Sequence, residues 1–269
     1  MIVCFRLLLK SGHSGGRSMS QSTFTRRLQV VYVLPSRYDD EGYVHRYWRG
    51  VLPSNTLATL QSLTLALRSS SELGPDVELS VETYDDSVQR VPIRRIVRRA
   101  HASRSKLVVG MVGVQSNQFP RAADLAMQFR AANVPVMIGG FHVSGVLALF
   151  DSPTPELQRM LDNGVTLVRG EAEAPGALAR ILTDALNGSL RPIYNITEFP
   201  DLTHAAIPSP DPEYMRHFVW KDMGTIDTSR GCPFHCSFCT IINVQGRTMR
   251  HRAPEAILDA IRSNHARGV

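Results

Sequence analysis

Short apolar runs alternate with segments of helical periodicity along most of this sequence, and that alternation limits the possible folds more than any other feature. Buried strands are predicted for five apolar runs, at residues 29–35, 77–83, 106–114, 134–140 and 166–170. Helices are predicted between and after them, over residues 55–67, 90–101, 120–132 and 175–186. Strands that alternate with helices predict an α/β fold with a doubly wound parallel sheet. Right-handed crossovers would place helices on both of its faces.

Polar and glycine-rich segments follow several of the predicted strands, at the edge where such sheets bind ligands. They are residues 35–42, 115–117, 139–144 and 169–173. Gly139 and Gly140 allow close approach of the backbone to a ligand and tolerate a positive φ. Helix N-termini nearby would offer N–H groups to an anion. The sequence has no Gly-x-Gly-x-x-Gly, which argues against a standard dinucleotide fold. These segments therefore predict a nucleotide-like or phosphate-bearing ligand.

Three cysteines, Cys232, Cys236 and Cys239, lie close together in the stretch Arg-Gly-Cys-Pro-Phe-His-Cys-Ser-Phe-Cys. Three thiolates can hold three irons of a cubane cluster, whereas a cluster that only transfers electrons usually has four protein ligands. The remaining cysteine, Cys4, is far away in the sequence. One iron would stay open to a substrate or cofactor, so this loop is the predicted centre of the chemistry.

The spacing Cys-x3-Cys-x2-Cys, with Phe238 before the last cysteine, resembles the signature of radical S-adenosylmethionine enzymes. The resemblance implies that Cys232, Cys236 and Cys239 hold a [4Fe-4S] cluster and that Phe238 lies near the adenine of S-adenosylmethionine. In that family the reduced cluster cleaves the cofactor to a 5′-deoxyadenosyl radical. A reductant such as ferredoxin or flavodoxin and a reducing, cytoplasmic location are implied as well.

The predicted sheet resembles a known cofactor domain. A flavodoxin-like domain with Gly-Gly-x-His and Gly-Glu-x-Glu strand ends, ahead of such a cysteine loop, is similar to the cobalamin-binding domain of B12-dependent radical S-adenosylmethionine proteins. The resemblance covers about residues 28–190 and implies that Gly139 and Gly140 border the nucleotide tail of cobalamin. It places Ser116, Asn117, Gly170 and Glu171 nearby. The Asp-x-His-x-x-Gly motif of many cobalamin domains is absent. For His142 the favoured interpretation is a hydrogen-bonded histidine at a strand end.

Five prolines, at 192, 200, 208, 210 and 212, separate the predicted sheet from the cysteine loop. We therefore predict a disordered leader over residues 1–27, with Met19 as a second candidate start, an α/β domain over 28–190, a linker over 191–222 and a further unit over 223–269. That unit is predicted to begin with a strand at 224–229 and to continue with a helix at 253–267, which has Pro254 and Glu255 in its first turn. It resembles the start of the partial (β/α)6 barrel of the radical family. One strand and one helix cannot close a barrel, so the sequence is expected to be truncated.

Together these resemblances imply the N-terminal portion of a radical S-adenosylmethionine enzyme, which is expected to methylate an unactivated carbon with cobalamin as methyl donor. The substrate is expected to be a small or lipid-like molecule. Two alternatives remain. One is a non-catalytic corrinoid- or nucleotide-binding module. The other is a binding protein stabilised by zinc, with His235 or His251 as the fourth ligand, although zinc sites usually contain a second Cys-x2-Cys pair.

The charge pattern does not favour a nucleic-acid partner, although the formal net charge is +6. Much of the excess lies in residues 90–106, where Ile93, Ile96, Val97 and Ala100 have the spacing of a buried helical stripe. The intervening arginines are then expected on a solvated helix face. No apolar run approaches the ~20 residues of a membrane span, and the N-terminal residues do not form a convincing signal peptide.

Overall fold

The computed structural model describes residues 25–203, 205, 207–208, 211–220, 222–266 and 268. The described residues include only the last three residues of the predicted leader, so Cys4 and Met19 lie outside them, as do Pro210 and Val269. None of the helices in the described ranges combines the length and hydropathy needed to cross a membrane.

In the described chain, six strands form one parallel sheet, with the bounds β1 Arg26–Leu34, β2 Val77–Asp85, β3 Lys106–Met111, β4 Val136–Gly139, β5 Val165–Arg169 and β6 Ile193–Asn195. The helices around it are α1 Asn55–Ser70, α2 Ile93–Ala102, α3 Phe119–Ala131, α4 Phe141–Leu149, α5 Pro155–Asp162, α6 Ala177–Asn187 and α7 Pro212–Met215. The cysteine segment contributes β7 Ser229–Arg230, α8 Ile241–Val244, β8 Arg250–His251 and α9 Pro254–Ala266. The predicted α/β class with a parallel sheet is confirmed.

The strand order across the sheet is β2-β1-β3-β4-β5-β6, and every neighbouring pair is parallel. The chain therefore moves outward in one direction from β1 to β2 and then returns to build the rest of the sheet on the other side. This is the flavodoxin-like order, which places a crevice at the carboxyl ends of β1 and β3.

Helices cover both faces of the sheet because alternate side chains of each strand point to opposite sides. Val31 and Val33 of β1 pack with residues of α2, α3 and α5, whereas Val30 and Tyr32 pack with residues of α1 and α6. Burying a valine or leucine fully in such a core contributes about 1.5–3 kcal/mol relative to leaving it exposed. The continuous apolar runs of the sequence are thus explained by burial on two sides.

The arginine-rich helix has the arrangement that its periodicity predicts. Ile96 and Ala100 of α2 are buried, while its arginines at positions 94, 95, 98 and 99 are exposed. Arg99 forms an ion pair with Glu82 of β2. The solvated helix face is therefore confirmed.

The structure departs from the sequence-based expectation within residues 191–222. The edge strand β6 pairs with β5 there, and α7 follows Asp211, whose carboxylate accepts a hydrogen bond from the Glu213 N–H at 2.8 Å. A three-residue edge strand is too short to leave a periodic pattern, and its pairing is decided by the neighbouring strand. The division of the chain into domains remains a prediction.

The strand predicted at residues 224–229 is wrong for most of its length. Residues 223–228 have no regular secondary structure, and only Ser229 and Arg230 pair, antiparallel to β8. Side-chain and backbone contacts to other segments hold this stretch in place of a strand ladder. The Thr225 hydroxyl, for example, donates to Asn55 Oδ1 at 2.6 Å. The barrel that was expected to begin here remains a prediction.

Candidate functional site

A cavity of about 280 Å³ lies at the carboxyl ends of β3, β4 and β5. It is bordered by residues 110–113 at the end of β3, by residues 139–141 at the end of β4 and by residues 170–173 after β5. The first turn of α1 adds Asn55 and Thr56. This is the edge at which open α/β sheets bind ligands, next to the point where the strand order reverses.

The inner wall of the cavity is apolar, and its rim is polar. Its inner wall includes Leu60, Met137, Leu178 and Ile181, side chains of α1, β4 and α6. Tyr32 also faces it, and burial raises the pKa of this phenol to about 12 against the opposing hydrogen bond with Thr64. Small-molecule and cofactor sites are usually apolar pockets with a few polar groups that fix the orientation of the ligand, and this cavity has that character.

The glycines at the end of β4 have different roles. Gly140 has φ +136°, and a Cβ there would overlap the backbone of Gly113 and Val114. Gly140 thus adopts the positive φ that glycine tolerates, whereas Gly139 does not, and the backbone that comes close to Gly140 is the chain's own. Gly139 borders the cavity directly, and a Cβ on it would lie 3.3 Å from the carbonyl oxygen of Val168. Both glycines keep the mouth of the cavity open and the β4–α4 turn tight.

The residues that the sequence assigns to one ligand lie at different places in the structure. Gly139, Gly140, Gly170 and Glu171 border the same cavity. Ser116 borders a second cavity of about 370 Å³, together with residues of α4 and Thr240 of the cysteine segment. Asn117 is exposed on the β3–α3 loop and borders neither of these two cavities.

His142 lies at the start of α4, beside the second cavity. Its Nδ1 is 3.2 Å from the Ser116 hydroxyl, its Nε2 is 3.1 Å from a Glu156 oxygen, and its ring packs on Phe119. Burial lowers the pKa of His142, although the Glu156 carboxylate opposes that shift. The predicted hydrogen-bonded histidine at a strand end is confirmed.

The three cysteines are held to different degrees. The backbone of Cys232 is anchored, because its N–H donates to the Gly246 carbonyl at 3.1 Å. Cys236 is exposed in the turn that follows, and Cys239 is half-buried and donates its N–H to the carbonyl of Cys236 at 3.3 Å. Phe238 is 89% exposed.

Within the described residues, no group of three or more histidine, cysteine, aspartate or glutamate side chains lies close enough to hold a metal ion. Of the two histidines considered as a fourth zinc ligand, His235 has its Nδ1 2.6 Å from Arg247, and His251 is exposed on β8. The thiols suit an iron–sulfur cluster by their chemistry, since its usual protein ligands are cysteine thiolates. The loop would have to draw them together to bind one.

A cluster of ion pairs connects the cysteine segment to the end of β5. Arg230, two residues before Cys232, contacts Glu171 at 2.7 Å, Asp227 at 2.9 Å and also Glu173. Arg250 of β8 pairs with Glu171, and the fully buried Arg252 pairs with Asp227 at 3.0 Å. We call these six residues, Glu171, Glu173, Asp227, Arg230, Arg250 and Arg252, the ion-pair network. Its three carboxylates balance its three guanidinium groups.

Arg230 keeps its charge in this network. Burial by itself would lower the pKa of its guanidinium, but the partners Glu173, Glu171 and Asp227 outweigh that effect and raise the pKa. A buried charge is tolerated only where it is paired and hydrogen-bonded. Sequence reasoning had assigned Glu171 to ligand binding and had missed Arg230, Asp227 and Arg250. The sequence did contain a signal for this network. The Gly-Glu-x-Glu run supplies two carboxylates, and an arginine stands two residues before Cys232, so opposite charges occur in two of the predicted site loops.

The comparison with protein sequences finds relatives over part of the chain. No protein-family model matches it. A bacteriochlorophyllide d C-8(2)-methyltransferase of Chlorobaculum tepidum is 29% identical over 157 residues, which cover 55% of this chain and 31% of that protein. The chain thus spans less than a third of the length of this relative.

The comparison with solved structures finds the same fold over 91% of the chain. The radical S-adenosylmethionine methyltransferase TsrM from Kitasatospora setae, solved with tryptophan substrate and a cofactor analogue, aligns with a TM-score of 0.55 at 18% identity, over 46% of its own chain. The cobalamin-dependent S-adenosylmethionine radical enzyme OxsB, solved with aqua-cobalamin bound, aligns with a TM-score of 0.54 at 17% identity, over 32% of its own chain. At these identities the alignments establish a shared fold.

Proposed function

We propose that this chain is the cofactor-binding portion of a methyltransferase that uses cobalamin, S-adenosylmethionine and a [4Fe-4S] cluster. The observation that carries the proposal is the position of Arg230, which borders the cavity at the carboxyl edge of the sheet and stands two residues before Cys232. The cavity and the three-cysteine loop therefore adjoin each other. Cofactors held at these two places would face a shared space.

The comparisons support the same reaction class. The relative from Chlorobaculum tepidum is a methyltransferase, and TsrM and OxsB are a methyltransferase and a cobalamin-dependent enzyme of the radical family. The reaction we propose is methylation of an unactivated carbon on a small or lipid-like substrate, with a ferredoxin or flavodoxin as reductant and a cytoplasmic location.

The residues of the first cavity would hold the nucleotide tail of cobalamin. Gly139 and Gly140 keep the backbone flat at its mouth, the apolar side chains exclude water from its interior, and Thr56, Thr59 and Ser144 offer hydroxyl groups. Asn117 and Ser116 lie farther along the same sheet edge, where they are proposed to contact a larger part of the cofactor. Gly170 and Glu171 close the β5 side.

The cysteine loop would hold the cluster through Cys232, Cys236 and Cys239, with Phe238 available to the adenine of S-adenosylmethionine. When bound, these groups supply a carbon-centred radical, and cobalamin supplies the methyl group; the protein positions and shields them. The exposure of Phe238 and Cys236 means that this loop presents its side chains outward, where a cofactor can reach them.

A second candidate is a corrinoid- or nucleotide-binding module without redox chemistry. It is favoured by one observation, that the described side chains include no assembled metal-ligand group although the cavity is already formed. On this hypothesis the chain binds a corrinoid and no iron. A zinc-stabilised binding protein is the third possibility and would bind zinc alone.

Anaerobic reconstitution with iron and sulfide, followed by metal analysis and absorption and EPR spectra, tests the proposal. We expect about four irons per chain and a spectral change on addition of S-adenosylmethionine. Hydroxocobalamin binding is measured in parallel by equilibrium dialysis. Cys232→Ala, Cys236→Ala and Cys239→Ala should each abolish iron loading and leave corrinoid binding unchanged, whereas the control Cys4→Ala should change neither.

The other outcomes select among the alternatives. Corrinoid binding without iron would establish the non-catalytic module, and zinc without iron or labile sulfide would establish the structural metal. Equal loss of iron and corrinoid in the cysteine variants would contradict two separate cofactor sites.

A further inference from the structure

Arg230 joins the cysteine segment to the loop that follows β5. Its side chain is 13% exposed, and its guanidinium reaches two carboxylates of the β5–α6 loop, Glu171 and Glu173, as well as Asp227 of its own segment. Charge-assisted pairs of this kind are shorter and about twice as strong as neutral hydrogen bonds. The Arg230 side chain therefore has little freedom to move, and it holds the cysteine segment to the loop after β5.

The rigidity of Arg230 extends along the backbone to Cys232. Arg230 pairs with Arg250 in the β7–β8 ladder. The next residue, Gly231, has φ +88°, and a Cβ there would overlap the carbonyl of Thr248. The N–H of Cys232 then donates to the Gly246 carbonyl. Cys236, four residues later, has no comparable connection to the sheet through the described network.

Arg230 also borders the first cavity, together with Asp227 and Gln245. The Arg230 side chain thus borders the cavity in which a ligand at the sheet edge would lie. Because Arg230 is two residues before Cys232, its position also restricts the position of this cysteine. We propose that Arg230 is a positioning residue that couples occupancy of the cavity to the placement of Cys232. This inference rests on the proposed function, since it takes the cavity ligand to be a corrinoid.

The coupling has a direct thermodynamic consequence. A ligand that fills the cavity and stabilises Arg230 in its ion pairs also stabilises the anchored position of Cys232, and by linkage the anchored position favours the ligand. Without the arginine the two would become independent. This coupling should therefore change the alkylation rate of the Cys232 thiol and leave that of the exposed Cys236 nearly unchanged.

The experiment compares alkylation rates of the individual thiols in the full chain. Iodoacetamide labelling is followed by peptide mass spectrometry, with and without hydroxocobalamin, in the unmodified chain, Arg230→Gln and Arg230→Lys. Arg262→Gln is the control, because Arg262 forms an exposed pair with Asp259. We expect hydroxocobalamin to slow labelling of Cys232 in the unmodified chain about fivefold or more, within the usual range of coupling between sites.

In Arg230→Gln we expect Cys232 to label about fivefold faster without ligand and the protection by hydroxocobalamin to disappear. Arg230→Lys should restore part of the protection, since a lysine keeps the charge but not the bidentate geometry. Cys236 labelling should stay the same throughout. Glu173→Gln, which removes one partner of Arg230 and leaves two, serves as a milder variant if Arg230→Gln does not fold.

Unchanged labelling of Cys232 in Arg230→Gln and in Glu173→Gln would overturn the positioning role. Protection that persists in a folded Arg230→Gln would overturn the coupling. Failure of the unmodified chain to bind hydroxocobalamin would refute both the corrinoid part of the proposed function and the coupling. The ligand-free labelling of Cys232 would then still decide whether Arg230 positions this cysteine.

Discussion

Removing the charge of Glu171 should loosen the cysteine segment more than removing the charge of Glu173. Among the described residues, Arg250 has one carboxylate against it, that of Glu171, whereas Arg230 has three. Arg250 is 15% exposed, and its Nε already lacks a hydrogen-bond partner. In Glu171→Gln this guanidinium would lose its ion pair while remaining largely out of water.

The magnitude follows from what each variant leaves unpaired. Breaking a buried ion pair by removing one partner costs about 3–5 kcal/mol. A glutamine still accepts a hydrogen bond, so we expect about 3 kcal/mol for Glu171→Gln. In Glu173→Gln, Arg230 keeps Glu171 and Asp227. Arg230 donates two hydrogen bonds to Glu173, and the glutamine oxygen can still accept one of them, so the loss is one charge-assisted hydrogen bond, about 1.5 kcal/mol. The control Glu213→Gln removes an exposed pair that solvent screens, with at most about 0.5 kcal/mol expected.

Native-state hydrogen exchange measures this local loss directly. The N–H groups of Cys232 and Arg252 are hydrogen-bonded to Gly246 and Thr228, so they exchange when the segment opens. Since about 1.4 kcal/mol corresponds to a factor of ten, exchange at these amides should rise about a hundredfold in Glu171→Gln and about tenfold in Glu173→Gln. The Glu213→Gln control should exchange about as the unmodified chain does. Equal effects of the two network variants, or no effect of Glu171→Gln beyond the control, would refute the reasoning.

Two further predictions concern the sheet edge. Gly140→Ala should lower the free energy of unfolding by more than the ~1–3 kcal/mol of a strained backbone residue, because the added Cβ would overlap the neighbouring loop. Urea denaturation measures this change. An unchanged free energy of unfolding would contradict the close packing of the β4–α4 turn. Burial lowers the pKa of His142 below its usual 6.5, so the unfolded chain takes up the proton first, and stability present above pH about 6.5 is lost as pH falls toward the folded pKa. His142→Gln should therefore lose less stability between pH 7 and pH 5 than the unmodified chain, while exposed His101→Gln should not differ from it.

Several features of the fold could be read from local sequence. The five main strands and the helices α1, α2, α3 and α6 were predictable because burial on two faces demands continuous apolar runs, and amphipathic helices demand a 3.6-residue period. Helices α4 and α5 were not predicted, because α4 is apolar around most of its circumference and contains Gly145, and α5 has only 8 residues. The positive φ at Gly140 was predictable for a similar reason, since only glycine adopts that conformation without strain. The strand β6 and the short pairing of β7 with β8 were not, because so few residues carry no period and depend on their neighbours for pairing.

The candidate site shows the same division. The spacing of Cys232, Cys236 and Cys239 identified them as candidate cluster ligands. Gly139 and Gly170 were identified by their positions at the ends of predicted strands. That Ser116 borders a different cavity from Gly139 could not be predicted, because positions along one sheet edge say nothing about which loops fold over which strand. The ion-pair network is of the same kind, since its partners Glu171 and Arg230 are 59 residues apart in the sequence.

The sequence by itself determined the class of sheet, the helix faces that meet it and the spacing of the three thiols, because these depend on interactions between residues close together in the chain. Tertiary structure alone decided where the cavity lies, which glycines serve the backbone rather than a ligand, and that Arg230 joins the cysteine segment to the end of β5. Those features arise where distant segments meet. Their energies depend on burial and on charge partners that no local pattern encodes.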